Sequence, residues 1–235
     1  MSENRKFSVL MSVYVKENPV FLEEAVESII HQTLKPSEVV IVEDGPLTPE
    51  LYQVLEKLEA QSSIPIKRCP LEQNRGLGLA LQNGVLQCQY DVIARMDTDD
   101  IAVEDRFEQQ FELMEKENLD LLGGHIAEFI DQPDEIVSYR RVPTKHEDII
   151  AYQRMRSAFN HMTVMFKKEM VLKAGNYEDG LYMEDDLLWL NMISAGARTG
   201  NVDQILCKVR VGAGMFERRG GLRYLKLYRQ ARKRM

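Results

Sequence analysis

Three carboxylates stand within four residues at Asp97-Thr98-Asp99-Asp100, directly after an apolar run. Carboxylates this close repel one another unless a cation or water screens them. Hard divalent ions such as Mg²⁺ and Mn²⁺ take oxygen ligands and bridge well to phosphate, so the cluster is suited to hold a metal against an anionic substrate. Taken alone, it serves equally as an acidic N-cap, with Asp99 or Asp100 stabilising the start of a following helix. A second acidic group, Met183-Glu184-Asp185-Asp186-Leu187-Leu188-Trp189, opens a helical pattern. Acids in a first helical turn need no role beyond complementing the helix dipole. A carboxylate at such a mouth also acts as a general base when a substrate hydroxyl lies within hydrogen-bond reach.

Three smaller signals accompany these. Glu43-Asp44-Gly45 reads as an ordinary turn, or as a site where the Asp44 carboxylate accepts hydrogen bonds from a nucleobase. Asn74-Arg75-Gly76-Leu77-Gly78 precedes a helix, where backbone N–H groups and a cation can face phosphate. It lacks the glycine spacing of a dinucleotide fingerprint and follows the third strand instead of the first. His161, in Phe159-Asn160-His161-Met162-Thr163, is a lone histidine of the kind that is commonly structural.

The elements that must position these residues alternate. Phe7–Tyr14 is apolar and β-prone, and Asn18-Pro19 starts a helix with an inward stripe of Leu22, Ala25, Val26, Ile29 and Ile30. Strands are predicted at Glu38–Glu43, Ile64–Cys69 and Tyr90–Met96, with helices at Thr48–Gln61 and Gly76–Gln87 between them. This β-α-β-α-β-α-β order gives an α/β fold with a mostly parallel sheet and helices on both faces. Ligands of such sheets bind beyond the strands' C-terminal ends. Val15 to Glu17, Asp44-Gly45 and Asp97 to Asp100 should therefore open onto one crevice. The second half is mixed: helices at Arg106–Asn118, His146–Met155 and Met183–Ala195, extended chain at Leu119–Ile130, and a short strand at Thr163–Phe166.

With 44% hydrophobic and 29% charged residues, the 235-residue chain can bury a substantial core, as one large domain or two joined halves. Cys69, Cys88 and Cys207 lack the close spacing of zinc or redox motifs and read as thiols of a reducing compartment. No segment reads as a signal peptide or a membrane span, so a cytoplasmic protein is expected. The net charge of −7 is uneven. From Lys208 onward ten Lys or Arg face one acid, leaving +9 there and −16 before it. Residues 222–235 also place Leu222, Leu225, Tyr228 and Ala231 on one helical face, with basic residues mostly opposite. Such a segment suits an anionic surface, or equally a solvated helix covering the domain.

In their order and spacing the motifs resemble family-2 glycosyltransferases, the inverting GT-A type, from about Phe7 to Arg219. The carrying segments are Phe7 to Tyr14, Ser28 to Pro36, Glu43-Asp44-Gly45, Asn74-Arg75-Gly76-Leu77, Met96 to Asp100, His161 to Phe166, and Glu184-Asp185 with Leu188-Trp189. The branch it looks most like builds bacterial exopolysaccharide and capsule repeats, of the amylovoran-synthesis type. The resemblance implies a single Rossmann-like GT-A domain over about residues 1–220, with a nucleotide-binding half (1–100), an acceptor half (101–220) and a basic tail (221–235). It implies that the Val13-Tyr14 backbone, Glu17 and Asp44 hold a uridine base flanked by Arg75 and Gly76. Asp97 would meet the ribose or the metal shell, Asp99 would ligate Mn²⁺ or Mg²⁺, and Asp185 would be the catalytic base. Glu184 and His161 would shape the acceptor pocket. The implied donor is a nucleotide-sugar and the acceptor a saccharide or lipid-linked saccharide. Nucleic acid is not expected as a partner, and the tail is a candidate contact with the inner face of the membrane. Two departures stand out: Pro46 follows Glu43-Asp44-Gly45 where Ser is usual, and no histidine occurs after His161 to ligate a metal. A sugar-nucleotide nucleotidyltransferase would instead place a glycine-rich basic loop after the first strand, where this chain has Val13-Tyr14-Val15-Lys16-Glu17. A non-catalytic nucleotide-sugar-binding module is the other rival reading.

Overall fold

The computed structural model describes residues 5–179 and 183–212. The amphipathic 222–235 segment therefore lies outside the described residues. The first half follows the expected alternation: β1 (Phe7–Val13), α1 (Pro19–Ile30), β2 (Glu38–Glu43), α2 (Pro49–Gln61), β3 (Ile66–Pro70), α3 (Leu77–Gln87) and β4 (Val92–Arg95). Two helices begin by the same local device. The Asn18 side chain accepts the Val20 N–H before Pro19, and the Thr48 side chain accepts the Leu51 N–H before Pro49. In each, the proline occupies a first-turn position whose N–H would have no helical partner.

The nine-stranded sheet runs β3-β2-β1-β4-β8-β6-β9-β5, with β7 on β6. Strands β1 to β4 are mutually parallel, and the antiparallel β8 (Met165–Lys167) joins them to the second half. Because side chains alternate across a strand, β1 feeds two cores. Val9 and Met11 pack with α1, α2 and α4 (Arg106–Glu117), while Leu10 packs with α3 and with α7 (Glu184–Ser194). Helix α3 lies against the sheet at Gly84, where an added Cβ would come within 2.3 Å of a Leu10 methyl.

Several expectations change. β3 starts at Ile66, since Ile64 is held in a turn by the Ser62 hydroxyl, which accepts its N–H at 3.0 Å. Residues His161–Thr163 form a 3₁₀ turn before β8 instead of opening a strand. No helix directly follows the aspartate cluster. The chain instead enters β5 (Ile101–Ala102), paired with β9 (Thr199–Arg210), and α4 begins only after Asp105. The capping alternative for Asp99 and Asp100 is thereby removed. β9, β5, β7 (Ile136–Arg140) and α6 (Lys168–Lys173) were not expected; β6 (Leu121–Phe129) and α5 (His146–Gln153) were. Lys208 and Arg210 belong to β9, where they pair with Asp134 and Glu24, so the basic segment proper begins beyond them.

Candidate active site

The parallel strands deliver the predicted residues to one edge. Beyond β1, Tyr14 to Glu17 form a turn closed by the Glu17 N–H on the Tyr14 carbonyl at 3.0 Å. The Val13 carbonyl accepts the Asp44 N–H at 2.8 Å, which carries the β1–β2 pairing past the end of β2. Asp44 is buried, and both its carboxylate oxygens hold the next loop. Oδ1 accepts the Arg75 N–H at 2.7 Å and Oδ2 the Gly76 N–H at 3.0 Å. The Asn74 amide closes the same turn on the Asp44 carbonyl at 3.1 Å. Gly45 fits there because its φ is +85° and because a Cβ would sit 2.5 Å from the Asn74 nitrogen. Asp44 thus builds the turn that carries Arg75 and Gly76, and each oxygen keeps a second lone pair for a ligand. Glu43 turns away, to Arg68 at 2.5 Å. Arg75 is exposed beside a depression lined by Pro70, Leu71, Glu72 and Gln73.

After β4 the aspartates converge: one oxygen each of Asp97, Asp99 and Asp100 lies within 4.8 Å of the others. Their surroundings differ. Asp97 pairs with the buried Arg95 guanidinium. Asp100 is buried and accepts the Arg210 backbone N–H at 3.0 Å, tying the cluster to the end of β9. Asp99 is left to the crevice, and burial followed by the charge of Asp97 pushes its carboxyl up to about 6. Burial and the other two aspartates push Asp100 well above its usual range. A cluster that resists full ionisation by itself, built only of oxygen donors, fits a hard divalent cation.

Helix α7 presents the second acidic set. Its start packs beside α3, where a Cβ on Gly78 would lie 3.0 Å from the Glu184 Cβ and 2.3 Å from the Glu178 carbonyl oxygen. Glu184 and Asp185 are half-buried, and burial followed by the charge of Asp185 raises the Glu184 carboxyl. Asp186 points inward and accepts from the Gln153 amide at 2.6 Å. Between the two acidic sets lies Tyr177, whose electrostatic neighbours include Arg95, Asp97, Glu184 and Asp185. Its hydroxyl meets His161 Nε2 at 2.9 Å, and the Trp189 ring packs against both. His161 is therefore one member of an aromatic cluster behind the crevice, and burial, with Arg95 second, lowers its pKa well below the ordinary value.

Sequence reasoning missed Arg95, Tyr177, Arg106 and Arg210. Arg95 carried a legible signal: it is a charge inside the apolar run of β4, two residues before Asp97, which puts the two on one face. Arg106 had none, since Gln110 one turn along α4, the Arg95 carbonyl and the sulfurs of Met96 and Cys207 are partners of types that mark no site in a sequence.

A mixed sheet whose parallel strands gather an aspartate cluster, the turn held by Asp44 and a helix-borne acid pair at their carboxyl edge has the layout of a GT-A fold transferase. Residues 8–176 match Glycosyl transferase family 2, and the chain belongs to that family. Its relatives agree. A Haemophilus influenzae protein called an uncharacterized glycosyltransferase is 47% identical, over 94% of this chain and 82% of its own length. The Erwinia amylovora amylovoran biosynthesis glycosyltransferase AmsE is 42% identical over the same shares. The Escherichia coli UDP-Gal:alpha-D-GlcNAc-diphosphoundecaprenol beta-1,3-galactosyltransferase is 38% identical over 93% of this chain and 79% of its own. In fold, the chain resembles Staphylococcus aureus TarS 1-349 in complex with UDP-GlcNAc, with a TM-score of 0.71 at 18% identity. That match covers 96% of this chain but 65% of the TarS chain. A Pyrobaculum calidifontis mannosyltransferase in complex with GDP-Man and Mn²⁺ has a TM-score of 0.68 at 15% identity, over 89% of this chain and 58% of that one.

Proposed function

We propose that this glycosyltransferase moves a hexosyl or N-acetylhexosaminyl group from a UDP-sugar to a lipid-linked saccharide, with inversion, in bacterial surface-polysaccharide synthesis. The observation that carries this is the pairing, across one crevice, of the Asp97–Asp99 cluster with the Glu184-Asp185 pair. The amylovoran and galactosyltransferase relatives support the donor and acceptor classes. Residues 1–100 form the donor half and 101–220 the acceptor half of one domain. The Val13-Tyr14 backbone, Glu17 and Asp44 receive the uracil, and Arg75 and Gly76 flank it from the turn that Asp44 holds.

Asp99 and Asp97 would hold the Mn²⁺ or Mg²⁺ ion. When bound there, the ion supplies charge neutralisation for the departing diphosphate. Asp97 also faces the ribose. Asp185 takes the proton of the acceptor hydroxyl as that oxygen attacks the anomeric carbon. Inversion requires a base on one face of the sugar and the leaving group on the other. Glu184, with its raised carboxyl, orients the acceptor, and His161 backs that pocket through Tyr177. The enzyme works in the cytoplasm, with the basic 221–235 segment resting on the anionic inner face of the membrane, where a lipid-linked acceptor is found.

The decisive test is substitution. Asp185→Asn should cut the transfer rate by about 10³ while leaving UDP binding near wild type. Donor hydrolysis should fall with it, which separates catalysis from mere binding. Equal loss of UDP affinity would make Asp185 structural and remove the base assignment. For Asp99→Ala, isothermal titration should show that added Mn²⁺ no longer tightens UDP binding.

A further inference from the structure

Arg95 is the last residue of β4, and its side chain is 2% exposed. Its peptide is fixed on both sides: the N–H donates to the Val164 carbonyl at 2.8 Å, and the carbonyl accepts from Arg106 Nη2 at 2.6 Å. Through Nη2 the guanidinium meets Asp97 Oδ1, whereas its Nε and Nη1 are buried without any hydrogen-bond partner among the described residues. A buried charge so short of partners is costly and calls for a reason. The groups its charge reaches include Asp97, Asp99, Asp100 and Glu184, and also the like-charged Arg106. Arg106, the other deeply buried guanidinium, bonds to Gln110, two sulfurs and a carbonyl, so it does not take over the pairing of Asp97.

We propose that Arg95 is the resident counter-ion of the aspartate cluster, standing in for the divalent cation while the crevice is empty. It is a positioning residue that acts through Asp97: it keeps that carboxylate aimed and lets three acids share one turn without metal. The same fixed charge repels a free divalent ion. Metal therefore enters weakly alone and firmly only together with the diphosphate, whose negative charge offsets the guanidinium. This inference rests on the reading of Asp97 and Asp99 as the metal side of the site.

The test compares wild type, Arg95→Met, Arg95→Lys and Asp99→Ala. Mn²⁺ binding is measured with and without UDP, and melting temperature with and without Mn²⁺. Free Mn²⁺ should bind Arg95→Met about tenfold tighter than wild type, since one unit charge beside the site is gone. The melting temperature of Arg95→Met should drop without metal and recover when Mn²⁺ is added. Arg95→Lys, which keeps the charge, should behave as wild type toward free Mn²⁺. Unchanged or weaker Mn²⁺ affinity in Arg95→Met, with no recovery by metal, would show a packing role alone and overturn the proposal. Should Arg95→Met fail to fold, the Arg95→Met/Asp97→Asn double variant decides: restored folding supports the counter-ion pair, and continued failure overturns it. If wild type and Asp99→Ala bind Mn²⁺ alike in the presence of UDP, the metal reading itself falls, whatever Arg95→Met does.

Discussion

Asp44 shows what a residue's type conveys and what it hides. Its carboxylate after a parallel strand was legible as a ligand-facing group, yet two backbone amides already occupy it, and no local pattern reveals that a loop 30 residues away will fold over it. The acids Asp97, Asp99 and Asp185 were legible because charges at strand and helix ends are conspicuous. Tyr177 was not, since a tyrosine in a loop has no spacing to betray it. His161 supplies a prediction at this scale. Burial, then the positive charge of Arg95, lowers its pKa well below the ordinary value. In the unfolded chain the ring protonates at about 6.5, so its share of stability is complete above that pH and is lost as pH falls through the depressed folded value. Ring NMR shifts should report a neutral His161 at about pH 6. A ring that titrates near the ordinary value would contradict its place behind Tyr177.

At the scale of elements, legibility followed local chemistry. Asn18-Pro19 and Thr48-Pro49 announced their helices, and strands β1, β2 and β4 announced themselves by apolar runs between turns. β9 was illegible for a physical reason. Its first four residues are buried on both sides although Thr199 and Asn201 are polar, so neither alternation nor an apolar run marks it. Their partners come from afar: Thr199 meets His146, and the Asn201 Nδ2 donates to the Pro143 and Ala158 carbonyls. The Gly45 turn yields a second prediction. Gly45→Ala should lose about 1–3 kcal/mol from the positive φ alone, and more because its Cβ would lie 2.5 Å from the Asn74 nitrogen. Urea unfolding measures the loss, and UDP affinity should fall with it as the Asp44–Arg75 turn shifts. A variant as stable as wild type would show that this turn yields easily.

For the whole molecule, the charge split gains a sharper boundary. Two of the cations counted toward the basic end are fixed in the sheet, leaving the segment past Gly212 to meet any surface. No helix among the described residues is long and apolar enough to cross a membrane. Removing residues 221–235 should abolish co-sedimentation with vesicles rich in anionic lipid, and raising salt should mimic the deletion. Deletion without effect on sedimentation would leave the segment as a solvated cover. Turnover of a soluble acceptor should be little altered, which separates recruitment from chemistry.

The hydrogen bond from the Arg210 N–H to Asp100 has a mechanical consequence. The Arg210 side chain lies against the Phe21 and Phe129 rings and pairs with Glu24, so the exit from β9 is anchored at its backbone and at its tip. A displacement at the end of β9 would therefore pull directly on Asp100 and, through the adjoining peptide, on Asp99. Whatever force reaches Arg210 is thus delivered to the aspartate cluster and not dissipated in the sheet.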